Sequence, residues 1–309
     1  MNNSRVCIVL GLFNGAKYLQ EQLDSIEAQL HRNWYLLITD DGSTDNSIKI
    51  INQFAKRCAE NQVTIVNGPQ RGFALNFISA LSKVPDDADF VAFCDQDDVW
   101  LPKKLSVAVA NLEECPPSSP AMICGRTFIC DSNLNIATMS PLFRRPPSFQ
   151  NALVQNIGGG NTMVLNKAAV HAVSKACSES EQLVAHDWTT YQVVTGVGGT
   201  VLYDREPFVL YRQHTHNQIG SNVSTYSRLV RIRRLLRGDY RIWFDTNAVA
   251  ISKLKTNLTI ENSRSFELFE KGRTASLPAR LRSVRKSGVY RQTFLGTLGL
   301  WLSALLCLW

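Results

Sequence analysis

Paired cysteines, clustered histidines and a phosphate-gripping loop are all missing from this chain. Its eight cysteines (7, 58, 94, 115, 124, 130, 177 and 307) form no Cys-x-x-Cys pair, and several lie inside apolar runs. That pattern implies buried free thiols in a reducing compartment and argues against disulfides. His214 and His216 have no cysteine or third histidine at ligand-like spacing, which excludes a zinc site there. No Walker-type loop, internal repeat or nucleic-acid motif is present. Met1-Asn2-Asn3-Ser4-Arg5 lacks the basic start and long apolar core of a signal peptide, so the body of the chain is expected in the cytoplasm. The uncharged run Thr293–Trp309 stops at 17 residues, whereas a spanning helix needs about 20. Acidic residues are scarce near the C-terminus. Residues 226–309 carry 16 Lys+Arg against 5 Asp+Glu, while residues 1–225 carry 17 against 21. The net charge of +7 thus divides into +11 and −4. A protein that bound nucleic acid over its whole surface would not be split in this way.

What is abundant is acid in one place. Asp95, Asp97 and Asp98 fall within four residues, directly after the apolar run Phe90-Val91-Ala92-Phe93. The run predicts a buried strand, and the acids then emerge at its carboxyl end, where open α/β sheets bind ligands. Like charges so clustered suit a divalent hard cation shared with phosphate oxygens. A solvated acidic turn before the helix near Pro102 is the alternative. A second acidic turn, Asp40-Asp41-Gly42-Ser43-Thr44-Asp45, follows the strand-like Trp34–Thr39. Gly42 permits a tight turn, Ser43 or Thr44 is expected to cap the helix near Asn46, and Asp45 suits that helix's positive end. Asp41 is left free to accept the imide N–H of a uracil or thymine base.

Strands expected near 5–11, 34–39, 63–67 and 89–94 alternate with helical patterns near 17–30, 44–60, 73–83 and 102–114. The alternation predicts an α/β fold with a mostly parallel sheet flanked by helices. Beyond the acids, Met122–Cys130 is expected to be a strand, and Pro141–Pro147 is irregular. Gly158-Gly159-Gly160 leaves three uses open: a phosphate cradle, a wall of a pocket, or a plain turn.

The two acidic motifs about fifty residues apart resemble those of a family 2 glycosyltransferase with the GT-A fold. Val6–Leu10 followed by Phe13-Asn14-Gly15-Ala16-Lys17-Tyr18-Leu19 resembles that family's first strand and nucleotide-binding loop. His186-Asp187-Trp188 and Leu210-Tyr211-Arg212-Gln213-His214 resemble the bacterial branch that includes rhamnosyltransferases of surface-polysaccharide assembly. In that branch a second Trp usually stands where Thr189 is, and a Gly where Thr215 is. The resemblance covers residues 4–220.

It implies a metal-dependent inverting transferase. The donor would be a nucleoside diphosphate sugar, with dTDP-rhamnose the first candidate, and the acceptor a hydroxyl of a lipid-linked oligosaccharide in O-antigen or capsule synthesis. Asp95 and Asp97 would hold Mn2+ or Mg2+, with His214 as a further metal or diphosphate ligand beside Arg212 in a cationic lid. Phe13, Asn14, Asp41 and Arg71 would contact the nucleotide, although a solvated loop arginine fits Arg71 as well. Asp187 would be the general base. By pattern alone it is an N-cap. Asp98 would either orient a metal ligand from behind or cap the following helix, the cap being the favoured reading. The glycine triplet would form a flexible wall of the acceptor pocket.

Residues 1–225 are expected to form the transferase domain, and 226–309 a basic helical extension. Within Ser227–Phe244, Leu229, Ile232, Leu236, Tyr240 and Trp243 share one helical face, and Arg231, Arg234, Arg237 and Arg241 another. Such a helix lies on an anionic membrane or packs on the sheet domain. With Trp301 and Trp309 in an in-plane tail, the enzyme is expected at the cytoplasmic face of the inner membrane. Two rivals stay open: a sugar nucleotidyltransferase and a non-catalytic membrane-tethered scaffold. Oligomeric state is not legible.

Overall fold

The computed structural model describes residues 4–178, 180–214, 233 and 237–308. In chain order its first strands are β1 (Val6–Leu12), β2 (Trp34–Asp40), β3 (Val63–Asn67), β4 (Phe90–Asp95) and β5 (Val99–Trp100). Then follow β6 (Ala121–Gly125), β7 (Phe128–Cys130), β8 (Ile136–Met139), β9 (Val164–Asn166), β10 (Thr200–Asp204) and β11 (Val209–Arg212). The main sheet has the order β10-β6-β9-β4-β1-β2-β3. Only β9 runs antiparallel to its neighbours.

Apolar runs become strands here because both faces of the sheet are covered. Cys7, Val9, Leu37, Val91 and Phe93 point into one core. Val6, Ile8, Leu10, Leu36, Ile38 and Ala92 point into the other. The helices that cover the sheet are α1 (Leu19–Glu27), α2 (Ser47–Ala55), α3 (Phe73–Ala80), α4 (Lys104–Glu113) and α6 (Lys167–Cys177). On α1, Leu19, Leu23 and Ile26 bury one stripe, as their helical spacing predicts.

Chain order reverses between β4 and β1, so a crevice opens at their carboxyl ends, where Gly11 pairs with Asp95. The expected single strand Met122–Cys130 is instead two strands in different sheets. At Gly125 a Cβ would lie 2.9 Å from the carbonyl oxygen of Asp204, and Arg126 N–H donates to that same oxygen at 3.3 Å. The chain turns there and joins a second sheet, β5-β11-β7-β8, that closes one side of the crevice.

A short helix α5 (Phe149–Ala152) and α7 (His186–Gly196) bridge to the C-terminal region. That region comprises α8 (Asp239–Lys253), α9 (Ile260–Thr274), α10 (Leu277–Ser287) and α11 (Phe294–Leu305). Phe149, Trp188, Phe244, Phe269, Val284 and Leu300 form its shared core. Most of the amphipathic pattern expected over 227–244, including Leu229, Arg231, Ile232, Arg234 and Leu236, lies outside the described residues. Of its described members, Tyr240 and Trp243 are half-buried against this core. Trp301 likewise packs on protein. No helix among the described residues is long and apolar enough to cross a membrane.

Candidate active site

Three loops at the sheet's carboxyl edge are laced together by side chain-to-backbone bonds. Phe13 N–H donates to Gln96 Oε1 at 2.8 Å, and Gln96 Nε2 returns a bond to the Phe13 carbonyl at 3.0 Å. A Cβ on Gly15 would lie 2.5 Å from Gln96 Oε1 and would displace that side chain from its bonds to Phe13. Asn14, in a left-handed conformation (φ 49°), donates its N–H to Ser43 Oγ and accepts from Thr44 N–H. Asp45 accepts from Ala16 N–H and from Ser47; against the upward push of burial, these bonds together hold its carboxyl below the usual range. Ser43 is therefore not the expected helix cap: its hydroxyl donates to Asp40 Oδ1 at 2.5 Å. The Phe13–Asn14 loop stands at the mouth of the crevice, with the Phe13 ring exposed.

Asp41 accepts from the N–H groups of Gln70 at 2.6 Å and Gly72 at 3.0 Å, one on each carboxylate oxygen. Each oxygen keeps a lone pair for a base. Arg71 on the same loop turns away, donating to the Glu181 carbonyl.

Asp98 is not a helix cap. It is fully buried, with Oδ2 accepting from Asn161 Nδ2 at 2.5 Å and Oδ1 from the Arg212 N–H at 3.2 Å. Burial, then the charges of Asp97 and Asp95, raises its carboxyl well above the usual range, against the opposing pull of those two bonds. Arg212 is equally buried and serves as a strut rather than a lid. Its guanidinium donates to the carbonyls of Asp97 and Ser132, pairs with Glu21, and lies 4.4 Å from the Tyr18 ring centroid. Tyr18 also stacks on His214, with centroids 5.0 Å apart. His214 Nε2 is 2.8 Å from Asp97 Oδ2. His216 lies outside the described residues.

Asp95 stands beside this pair. Burial, followed by the charges of Asp97 and Asp187, raises its carboxyl above the usual range. No group of three metal-ligating side chains converges among the described residues. The Asp97–His214 pair nevertheless fits a divalent cation: it supplies carboxylate oxygen and imidazole nitrogen, and a cation would relieve the repulsion among the three acids. Donor phosphate oxygens would complete such a shell.

Asp187 lies in the first turn of α7, whose N-cap is Ala185, so the N-cap reading is excluded. Its Oδ1 accepts from Trp188 N–H at 2.6 Å and its Oδ2 from Gly160 N–H at 3.2 Å. Burial lifts its pKa to about 6 against the opposing effect of these bonds. His186 is enclosed by the rings of Phe77, Phe93 and Phe73, neither ring nitrogen has a partner, and burial lowers its pKa to about 3. It is therefore neutral. A Cβ on Gly160 would sit 2.2 Å from His186 Nε2, so only glycine brings that N–H to Asp187.

The glycine segment has a use beyond those the sequence left open. It is a brace, with Gly160 on Asp187 and Asn161 on Asp98. Gln96, Asn161, Tyr18 and Glu21 carry roles that no sequence motif assigned. The only sequence signal was their position inside or next to the motifs.

Comparison with known proteins agrees with this geometry. The sequence profile of glycosyl transferase family 2 matches residues 7–170. The dTDP-rhamnosyl transferase RfbG of Shigella flexneri is 28% identical over 240 residues, covering 72% of this chain and 79% of that protein. The UDP-Glc:alpha-D-GlcNAc-diphosphoundecaprenol beta-1,3-glucosyltransferase WfgD of Escherichia coli is 25% identical over 179 residues, 56% of this chain and 65% of that protein. Among solved structures, the mannosyltransferase PcManGT of Pyrobaculum calidifontis, in complex with GDP-Man and Mn2+, superposes with a TM-score of 0.52. It has 17% identity, and the alignment spans 99% of this chain and 87% of that one.

Proposed function

Since the chain belongs to glycosyl transferase family 2 and so moves a sugar from a nucleotide sugar, we propose that it is an inverting enzyme with Asp187 as its general base. We propose further that the donor is dTDP-rhamnose and the acceptor a hydroxyl of a lipid-diphosphate-linked glycan of surface polysaccharide. The donor reading is supported by the similarity to RfbG, and the acceptor reading by the similarity to WfgD.

The observation that carries the mechanism is the anchored, desolvated carboxylate of Asp187. A base with a pKa of about 6 is ionised at neutral pH yet basic enough to take a hydroxyl proton as the bond to the sugar forms. The N–H groups of Trp188 and Gly160, together with the Asn156 side chain, fix the carboxylate's direction. Asp41 would accept the imide N–H of the base, and the Phe13–Asn14 loop would line the nucleoside. A divalent cation held by Asp97 and His214, with Asp95 beside it, would offset the charge that develops on the departing diphosphate.

Calorimetric titration with dTDP, UDP and GDP, with and without manganese, tests the donor half. One nucleotide should bind in a manganese-dependent manner, and Asp97→Asn should abolish that dependence. Binding of no nucleotide by folded protein would refute it and favour a scaffold of the same fold.

A further inference from the structure

We infer that the loop 141–147 and the tip of α11 together form one docking surface for an anionic lipid bilayer. The inference rests on the lipid-linked acceptor of the proposed function and adds the face through which the enzyme would approach it.

The sequence holds two stretches without a single acidic residue, 132–178 and 271–309. Tertiary structure brings them together. Arg145 N–H donates to Gln292 Oε1 at 3.1 Å, and Gln292 Nε2 donates to the Arg145 carbonyl at 3.1 Å. Tyr290 OH donates to the Pro146 carbonyl at 2.9 Å, and the Arg145 guanidinium lies 3.5 Å from the Tyr290 ring centroid. Arg144 and Arg145 are exposed on this loop, with the half-exposed Leu142 beside them.

Two residues beyond Gln292, α11 begins with the most exposed apolar pair of its length. Phe294 is 82% and Leu295 77% exposed, and Leu298 and Leu302 continue the same face. The opposite face is seated on protein through Leu300, Ser303 and Ala304. Helices α10 and α11 form a hairpin, because Arg280 near the start of α10 donates to the Ala304 carbonyl near the end of α11. Arg285 and Lys286, at the far end of α10 and both exposed, therefore lie at the same end of the hairpin as Phe294.

The result is an apolar tip at the same end of the hairpin as the exposed Arg285 and Lys286, next to the loop that carries Arg144 and Arg145. At 12 residues α11 is about 18 Å long. That is short of the about 30 Å hydrocarbon core, and a helix seated on one side suits burial in the interface plane. A second copy of the chain fits poorly, since a two-fold contact through this patch would set basic residues against their own copies. Anionic headgroups complement it, and the same clamp leads through residues 151–160 to the Gly160 brace on Asp187. Arg291 donates to the Val154 carbonyl and Gln292 N–H to Gln155 Oε1 along that path.

The test is co-sedimentation of the full chain with phosphatidylcholine vesicles, with and without phosphatidylglycerol. Binding should require the anionic lipid. A basic residue near such a surface is worth about fivefold in partition, so Arg144→Glu, a change of two charges, should weaken binding by tenfold or more. Phe294→Asp with Leu295→Asp should abolish it, while Leu30→Asp, at an exposed leucine far from the patch, should leave it intact. Each variant should keep the wild-type melting temperature and manganese-dependent nucleotide binding, which separates a failed surface from a failed donor site. Vesicle binding untouched by these variants would overturn the inference. So would concentration-dependent self-association that Phe294→Asp removes, in protein that ignores vesicles.

Discussion

At the carboxyl edge of the sheet, acids are held by backbone amides from distant loops. Asp41 takes those of Gln70 and Gly72, Asp98 that of Arg212, and Asp187 that of Gly160. The helices after residue 238 cohere mainly through apolar side chains such as Phe244, Phe269, Val284 and Leu300. The first arrangement fixes the direction of single atoms, which chemistry needs, and at Asp98 and Asp187 its bonds work against a burial that disfavours the carboxylate's charge. The second is non-directional and fixes only shape. Stability and activity should therefore separate between the two regions.

Asp187→Asn is the sharpest way to break that comparison. Transfer in single-turnover assays should fall by about 10²–10⁴, with nucleotide affinity unchanged. Next, His214→Ala removes the partner of Asp97 and should weaken manganese-dependent nucleotide binding about 10–100-fold in the same calorimetry, with little change in melting temperature. Gly160→Ala forces a Cβ onto His186 and should cost about 1–3 kcal/mol by thermal denaturation. His186→Ala in the same chain should recover part of that loss.

In the helical region, Arg280→Met removes bonds to the Ala275 and Ala304 carbonyls and to Cys307 Sγ. It should cost about 2 kcal/mol in denaturant titration and leave nucleotide binding intact. The smallest effect is a pH effect. The Asp187 carboxyl titrates near 6 when folded against 3.8 when unfolded, so the folded chain holds its proton more tightly and loses stability as pH rises through that window. Between pH 5 and pH 7 the stability advantage of Asp187→Asn over the parent chain should grow by about 1 kcal/mol.

Much of the sheet was legible because its strands are apolar runs buried on both faces, and β1 to β4 alternate with helices whose stripes are local in sequence. The second sheet was legible only in part: β7 falls inside the expected strand Met122–Cys130 and β11 overlaps the apolar, strand-like run Pro207–Tyr211, but nothing marked β5 and β8 or the pairing of the four. These strands are two to four residues long and settle into one sheet only by pairing. The acidic residues were likewise visible as a cluster, yet the cluster conceals different jobs. Asp98 looks like its neighbours until Asn161 and Arg212, 63 and 114 positions away, close on it. Arg71 reads as a nucleotide contact, and only the fold brings its guanidinium to the Glu181 carbonyl, 110 positions away.

The sequence alone determined the αβ alternation, the placement of acids at strand ends and the basic region over 226–309, because each depends on side-chain character and spacing within one segment. Tertiary structure decided which acid is a buried strut, which arginine is consumed, and which glycine holds Asp187. Those roles depend on hydrogen bonds and desolvation imposed by residues far along the chain, and neither exists until the loops meet.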